Sequence, residues 1–207
     1  MGCGGCGAEE GTPSARDGVI EYFDSHCHLT DTAFRDDREA VFRRARDAGV
    51  TRLTLIASSA QDAVRAADLA SELDGVYSTA GVHPHAVGEA APGDLDRVRE
   101  VATTRSEVVA IGETGLDYFY DNAPRAEQRA SFDAHLALGF ELGLPVVVHA
   151  READADIAAA LRAAPAGTLG VLHCFTGGDL AFAAAMDAGW YVSASGIARS
   201  EEHTSEL

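Results

Sequence analysis

Four short apolar runs in this chain each lead into a residue type that binds metal ions. The runs and the residues that follow them are 19–25 with His26 and His28, 108–112 with Glu113, 145–148 with His149, and 169–172 with His173. Runs of this length, rich in β-branched residues, are typical of buried parallel strands. The carboxyl ends of such strands gather on one face of an α/β fold, where ligands bind. We therefore predict that four histidines and a glutamate meet there and hold divalent metal.

The spacing of His26 and His28 suits joint binding of one ion. Side chains at positions i and i+2 of a strand point to the same side, whereas Cys27 points to the other, toward the predicted helix layer. A His-x-His motif alone is weak evidence, because a structural pair of histidines is also common. Five ligand-type residues at the ends of four strands are harder to explain by packing, since buried imidazoles and carboxylates need partners. We therefore favour a metal site.

The composition indicates one globular domain without a basic surface. The chain has 207 residues, 46% of them hydrophobic, and a formal net charge of −17. This charge argues against broad electrostatic binding of nucleic acid, but it is compatible with a phosphate held by metal ions and a few arginines. No apolar run has the length of a membrane helix and no signal peptide is visible, so we expect a cytoplasmic protein with no membrane contact. Nothing in the sequence indicates a protein partner.

Residues 1–18 lack hydrophobic periodicity and are predicted to form a disordered leader. The segment contains a Cys-x-x-Cys motif, Cys3 to Cys6, of the kind that binds zinc or cycles as a redox pair. No second pair of ligands follows and glycines flank the motif, which favours a plain mobile tail.

Strand and helix patterns alternate after the leader, with seven predicted strands and six intervening helices. Helices are predicted over about 33–48 and 125–142, Ser59 is a predicted N-cap, and the seventh strand is predicted over 190–195. Repeated right-handed crossovers predict an α/β protein, a (β/α)₈ TIM-like barrel that here lacks its eighth strand and last helices. An open doubly wound sheet is the alternative. The barrel is favoured because ligands on strands one, four, five and six must converge.

Six longer motifs occur along the chain. They are DSHCHL at 24–29, GVHPH at 81–85, IGETGLDY at 111–118, PVVVHAREA at 145–153, HCFTG at 173–177 and GWYVSASG at 189–196. In type and order they resemble the TatD family of metal-dependent deoxyribonucleases, within the amidohydrolase-like barrels. The resemblance covers about residues 20–198, and we assign one hydrolase domain to 19–198. It is highly specific for the family and less so for the substrate.

The resemblance implies a centre of two divalent metal ions. His26 and His28 would hold one ion, Glu113 would bridge both, and His149 and His173 would hold the second. This histidine-rich ligand set suits Zn²⁺ or Mn²⁺ better than Mg²⁺. The family is commonly described as Mg²⁺-dependent, so all three ions stay open.

The resemblance also implies roles for neighbouring residues. His83, in the Gly-x-His-Pro motif, would face the substrate phosphate, and we predict His83 and Glu113 as the catalytic residues. Arg151 is predicted to contact substrate, with an exposed salt bridge as the alternative. Asp117 and Tyr118, in the segment after Glu113, either shape a loop or take part in the site.

The implied function is hydrolysis of phosphodiesters at DNA ends by a water that two metal ions activate. The alternative is another amidohydrolase-like ester or amide hydrolase, such as an aminoacyl-ester deacylase, because acyl hydrolysis uses the same chemistry. The Gly-x-His-Pro motif and Glu113 favour the phosphodiesterase.

The end of the chain suggests a third interpretation, an inactive metal-binding fragment. An aspartate on the family's eighth strand completes the first metal site, and the sequence after Ala198 does not continue the family pattern. Residues 199–207 resemble the translation of a sequencing-adapter oligonucleotide. We interpret them as a non-native tail, so that His203 is not a replacement ligand.

Overall fold

A computed structural model describes residues 21–196, in which seven strands alternate with six α-helices. The strands are β1 Tyr22–Cys27, β2 Val50–Leu55, β3 Val76–Ala80, β4 Val108–Asp117, β5 Val146–Arg151, β6 Gly170–His173 and β7 Tyr191–Val192. The α-helices are α1 Arg38–Asp47, α2 Ala60–Ser71, α3 Asp94–Thr104, α4 Arg125–Leu142, α5 Asp154–Ala163 and α6 Asp179–Asp187. Two 3₁₀ helices, Thr32–Phe34 and Pro84–Glu89, lie between them. The predicted leader and the predicted tail lie outside the described residues.

The predicted alternation is confirmed, and helix ends with a strong local signal lie where the sequence predicts them. Helix α4 begins and ends at the predicted residues, and Gly143 follows it with a φ of 66°. The Ser59 hydroxyl accepts a hydrogen bond from the Asp62 backbone N–H at 3.1 Å, which caps α2. The seventh strand is shorter than predicted, because only Tyr191 and Val192 pair with β6.

The first predicted helix is divided in two. The Asp31 carboxylate accepts a hydrogen bond from the Ala33 N–H at 2.7 Å, and this local bond begins the short 3₁₀ helix Thr32–Phe34. Helix α1 then starts separately after Asp37. The prediction of one helix over 33–48 was therefore wrong at its amino end.

The strands form one parallel sheet in which they follow the order of the chain, from β1 to β7. All six neighbouring pairs are parallel. A doubly wound sheet reverses its strand order at a switch point. No reversal occurs among the described strands, so the barrel prediction is confirmed over its alternative.

The sheet is curled, because its first and sixth strands meet at their carboxyl ends. The rings of His26 in β1 and His173 in β6 stack with centroids 3.3 Å apart and an interplanar angle of 4°. In a flat sheet, five strand spacings would separate these residues by about 24 Å. Barrel curvature therefore brings the strand ends to one place.

Two apolar clusters hold the helices against the sheet. The larger one joins Ile111 of β4 with Phe132 of α4 and Ile157 of α5, all fully buried. The smaller one packs helices against β2 around Leu55, and Cys27 contacts it as predicted. Burial raises the pKa of the Cys27 thiol to about 12, so it behaves as an apolar group. None of the helices within residues 21–196 is both long and apolar enough to cross a membrane.

Candidate metal centre

A cleft of about 590 Å³ opens at the carboxyl ends of the strands. The predicted site residues in its wall are His26, His28, His83, Glu113, His149, Arg151 and His173. The structure therefore brings every predicted site residue to one cleft. His85, Asp117 and Tyr120 line it as well.

Glu113 is the residue around which the cleft is arranged. Its Oε2 lies 3.3 Å from Nε2 of His26 and 3.7 Å from Nε2 of His28, and its Oε1 lies 3.4 Å from Nδ1 of His149. Burial alone would raise the pKa of Glu113, but hydrogen bonds to His149 and His26 outweigh it and hold the pKa well below its usual range. An ionised carboxylate thus directs one oxygen toward each of two histidine groups.

The two histidines of the His-x-His motif converge as strand geometry requires. Their Nε2 atoms are 3.2 Å apart, and both lie near the same oxygen of Glu113. One ligand atom from each of His26, His28 and Glu113 falls within 4.8 Å of the others, which makes this a candidate ligand group. Two imidazole nitrogens beside one carboxylate oxygen are a donor set for a divalent transition metal.

Two further candidate ligand groups share His149. One combines it with His83 and Glu113, and the other with His85 and Asp117. The Oδ2 of Asp117 lies 2.8 Å from Nε2 of His85 and 2.9 Å from Nε2 of His149. Burial lowers the pKa of His149, but the hydrogen bonds to Glu113 and Asp117 outweigh it, so the pKa is raised overall. His149 therefore lies between two carboxylates, one at each ring nitrogen.

Sequence reasoning assigned His85 no role and left Asp117 between loop and site. The fully buried Asp117 does both, because its Oδ1 accepts the backbone N–H groups of Phe119 and Tyr120 at 3.1 and 2.9 Å while Oδ2 faces the histidines. Burial would raise its pKa, but these hydrogen bonds outweigh it and lower the pKa. One signal was available: Glu113 and Asp117 are four residues apart on β4, so their side chains lie on the same face.

His83 is held as a hydrogen-bond donor. Its Nδ1 accepts the His85 backbone N–H at 3.2 Å, and burial lowers its pKa to about 3. A neutral imidazole that accepts at Nδ1 carries its proton on Nε2, and this Nε2 lies 3.9 Å from Oε1 of Glu113. Binding metal through Nε2 would move the proton to Nδ1 and break the bond to His85. The geometry therefore favours His83 as a donor facing substrate.

A buried histidine of α4 supports this segment from the helix layer. His135 is 2% exposed; its Nδ1 donates to the Ser131 carbonyl at 2.7 Å, and its Nε2 accepts the Val82 N–H at 3.2 Å. Val82 directly precedes His83, so His135 fixes the backbone from which His83 projects. Burial lowers the pKa of His135 and keeps it neutral, as its acceptor role requires. Sequence reasoning did not identify this residue.

His173 and Arg151 lie in the cleft with contacts that were not predicted. His173 is the register partner of His149, but its ring stacks on His26, and no candidate ligand group among residues 21–196 includes it. Burial lowers the pKa of His173 to about 4, which keeps the ring neutral. The Arg151 guanidinium lies over the rings of Phe119 and Tyr120, 4.1 and 5.0 Å from their centroids. The ligand role of His173 and the substrate role of Arg151 stay predictions.

The sequence matches the family model described as TatD related DNase over residues 23–207. The chain belongs to this family. The 3'-5' ssDNA/RNA exonuclease TatD of Pantoea ananatis (strain LMG 20103) is 41% identical over 176 residues, which is 84% of this chain and 67% of that protein. The uncharacterized metal-dependent hydrolase YcfH of Escherichia coli (strain K12) is 38% identical over 178 residues, 84% of this chain and 66% of that protein.

A solved TatD homologue has the same fold. The crystal structure of YJJV from Escherichia coli K12 matches with a TM-score of 0.75 and 30% identity, over 83% of this chain and 66% of that one. The chain spans about two thirds of the length of these TatD relatives.

The donor set of this TatD-type cleft fits divalent metal. Imidazole nitrogens of His26, His28 and His149 surround the ionised Glu113, whose side chain is only 4% exposed. His149 faces Asp117 through its second nitrogen, as metal-binding histidines commonly face a carboxylate. Nitrogen and oxygen donors of this kind suit Zn²⁺ and Mn²⁺, and less well Mg²⁺.

Proposed function

We propose that this cleft is the active site of a two-metal phosphodiesterase that acts on nucleic-acid ends, with DNA as the substrate. The observation that carries the proposal is the ionised Glu113, which directs one oxygen to His26 and His28 and the other to His149. The names of the relatives support the reaction class, since one is a 3'-5' ssDNA/RNA exonuclease and another a metal-dependent hydrolase.

The ligand assignment divides between the two oxygens of Glu113. His26 and His28 would hold one ion with Oε2, and His149 would hold the second with Oε1, assisted by His173. When bound, the ions would supply charge to phosphoryl oxygens and lower the pKa of a water. Zn²⁺ or Mn²⁺ suits these ligands better than Mg²⁺.

Asp117 orients the second ligand. Its Oδ2 accepts the Nε2 proton of His149 at 2.9 Å, so Nδ1, which faces Glu113 at 3.4 Å, is the nitrogen that would lose its proton and bind the ion. The Nε2 proton of His85 donates to the same oxygen at 2.8 Å. A carboxylate behind a ligand histidine fixes its tautomer and raises its basicity.

His83 would bind the substrate phosphate. Its Nδ1 accepts the His85 backbone N–H, so Nε2 carries the proton. Nε2 lies in the cleft, 3.9 Å from Oε1 of Glu113. Because the pKa of His83 is lowered to about 3, it donates as a neutral group over the whole physiological pH range. Arg151, in the same wall, would add positive charge near the phosphate.

The test compares phosphodiester with carboxylic ester hydrolysis. The protein is assayed with bis-p-nitrophenyl phosphate, with p-nitrophenyl acetate and with a single-stranded oligonucleotide, each with Zn²⁺, Mn²⁺ or Mg²⁺ and with chelator. We expect metal-dependent phosphodiester hydrolysis that falls at least about 100-fold in Glu113→Gln. The matched control is Glu141→Gln, an exposed carboxylate paired with Arg99.

The other outcomes distinguish the alternatives. Faster hydrolysis of the acetate would support an ester hydrolase such as a deacylase. Binding of two metal ions per chain, measured by elemental analysis, without turnover of either substrate would support the inactive fragment. Phosphodiesterase activity that survives chelator would contradict the proposal.

A further inference from the structure

A second cleft, of about 400 Å³, adjoins the metal site. The two clefts share Ala150, Arg151 and Thr176 in their walls, so they lie side by side. Beyond the shared wall the second cleft is lined by Phe119 and Phe175. None of the candidate ligands of the metal centre lines it, and Arg151 is the one residue with a role proposed above that it shares with the metal cleft.

Two exposed aromatic rings stand where the clefts join. Phe119 is 50% exposed and lines the second cleft, whereas Tyr120 is 55% exposed and lines the metal cleft. Their rings meet edge to face, with centroids 4.8 Å apart. The Arg151 guanidinium covers part of both rings. Adjacent exposed aromatic residues beside a polar cleft are typical of a ligand-binding surface.

The segment that carries these rings is held in place by specific hydrogen bonds. The Asp117 carboxylate accepts the N–H groups of Phe119 and Tyr120, and the Arg151 carbonyl accepts the Tyr118 N–H at 2.9 Å. The Tyr118 hydroxyl donates to the Asp156 carboxylate at 2.6 Å. The exposed rings are therefore a built feature of the rim, because their backbone is tied to the ends of β4 and β5.

Phe175 supplies a second aromatic ring to the lining of the second cleft. A side chain at Gly177 would bring its Cβ within 2.7 Å of the Phe175 ring, so glycine keeps this ring in position. The nearby Asp154 carboxylate is occupied, since it accepts the N–H groups of Leu180 and Ala181 at 3.2 and 3.0 Å. The cleft thus combines two aromatic rings and the Arg151 cation with the carboxylates of Asp154 and the exposed Glu152.

We propose that the second cleft binds the unpaired nucleobase next to the cleaved phosphate, with Phe119 as the stacking surface. This inference rests on the proposed phosphodiesterase function. Aromatic rings stack on any base and Arg adds a cation–π contact, whereas bases within a duplex are already stacked and paired. Stacking needs no basic surface, which reconciles a nucleic-acid substrate with a net charge of −17.

The test measures binding and hydrolysis on two single-stranded oligonucleotides, one ordinary and one whose terminal nucleotides at both ends are abasic. Wild-type protein loaded with Mn²⁺ should bind the abasic oligonucleotide about tenfold more weakly in fluorescence anisotropy, measured on phosphorothioate-linked versions of both oligonucleotides that resist hydrolysis. Phe119→Ala should weaken binding of the ordinary oligonucleotide by about the same factor and leave binding of the abasic one unchanged. Such non-additivity reports contact between the ring and the base.

Two variants complete the design. Phe119→Trp should keep the affinity for the ordinary oligonucleotide, and its indole emission should be quenched by the ordinary but not by the abasic one. Phe140→Ala is the matched control, because Phe140 is 48% exposed on α4 and lines neither cleft. It should bind both oligonucleotides as the wild type does.

The two proposals fail in different ways. If wild-type protein hydrolyses neither oligonucleotide, the phosphodiesterase proposal fails. If it hydrolyses both and binds them with equal affinity, or if Phe119→Ala weakens both equally, the stacking inference is overturned and the phosphodiesterase stands. If Phe119→Ala does not fold, equal affinity of the wild type for the two oligonucleotides still overturns the inference, and quenching of Phe119→Trp still supports it.

Discussion

Asp117 divides its two oxygens between different tasks. Oδ1 holds the backbone of Phe119 and Tyr120, and Oδ2 faces His85 and His149. A neutral amide at this position keeps an acceptor for the loop, but it removes the charge that makes His149 a stronger base. The contribution of Asp117 to metal binding can therefore be separated from its contribution to folding.

We expect Asp117→Asn to weaken binding of Zn²⁺ or Mn²⁺ by about 10- to 100-fold while the protein stays folded. The measurement is a competition titration against a chelating dye, with circular dichroism to verify the fold. Asp133→Asn, on the exposed face of α4, is the matched control and should bind metal normally. Unchanged metal affinity in Asp117→Asn would remove Asp117 from the metal centre.

His135 gives the fold a pH dependence that is independent of the metal ligands. Its pKa is lowered from 6.5 by burial, so below pH 6.5 the unfolded chain binds a proton that the folded chain does not. Stability is therefore lost as the pH falls below 6.5. His83 and His173, with pKa values of about 3 and 4, act in the same direction, and the raised pKa of His149 opposes them.

The variant His135→Gln removes one titrating group and keeps an acceptor for the Val82 N–H. The free energy of unfolding of both metal-free proteins should fall between about pH 6.5 and about pH 5. We expect this fall to be smaller in the variant than in the wild type, by up to about 2 kcal/mol. Urea unfolding in the presence of chelator measures this difference. Parallel pH profiles for the two proteins would show that His135 does not titrate on unfolding.

At the scale of elements, β4 carries both acidic residues of the site. It is ten residues long, and Gly115 lies between Glu113 and Asp117 on the same face. The backbone of Gly115 has a φ of 130°, and a Cβ there would lie 2.1 Å from the His149 carbonyl oxygen. Only glycine lets β4 run this close to β5 at the metal centre.

We expect Gly115→Ala to lower the free energy of unfolding by at least about 2 kcal/mol, because both the backbone angle and the contact with β5 resist a side chain. Chemical unfolding of metal-free protein measures the loss. In Gly88→Ala, the control, the nearest atom to the added Cβ is an ordinary 3.5 Å away, so stability should change little. Equal stability of the two variants would contradict the close approach.

The elements also show what the sequence could predict. Runs of β-branched residues mark the strands, and the predicted ligands that follow four of these runs, His26, His28, Glu113, His149 and His173, all line the metal cleft. His83 and Arg151 were predicted from the family resemblance. His85 was missed because it projects from the 3₁₀ helix Pro84–Glu89, which has no apolar periodicity. The stacking of His173 on His26 depends on the curl of the whole sheet, which local patterns do not contain. In the sequence, His135 looks like an ordinary helix residue. Its role depends on its contact with Val82, two residues after the end of β3, which only the structure shows.

At the scale of the whole molecule, β1 and β7 are the edges of the described sheet. Both expose aromatic side chains, with Tyr22 and Phe23 each 54% exposed and Tyr191 79% exposed. Strand edges with exposed apolar side chains favour pairing with another chain. Self-association of this polypeptide should therefore depend on these edges.

We expect Tyr191→Lys to reduce concentration-dependent association, measured by light scattering, because a charge on an edge strand opposes pairing. Phe140→Lys, which places the same charge on the outer face of α4, is the control and should associate like the wild type. An equal effect of both variants would indicate that total charge, and not the sheet edge, governs association.

The shared carboxylate of Asp117 has a further consequence for the molecule. Because one group holds both the loop of Phe119 and Tyr120 and the ring of His149, we expect occupancy of the two clefts to be thermodynamically linked. Linkage is reciprocal. If a cation that tightens His149 against Asp117 raises the affinity of the aromatic rim for its ligand by some factor, that ligand raises the affinity of the metal centre for the cation by the same factor. The metal centre and the rim would then behave as one cooperative unit.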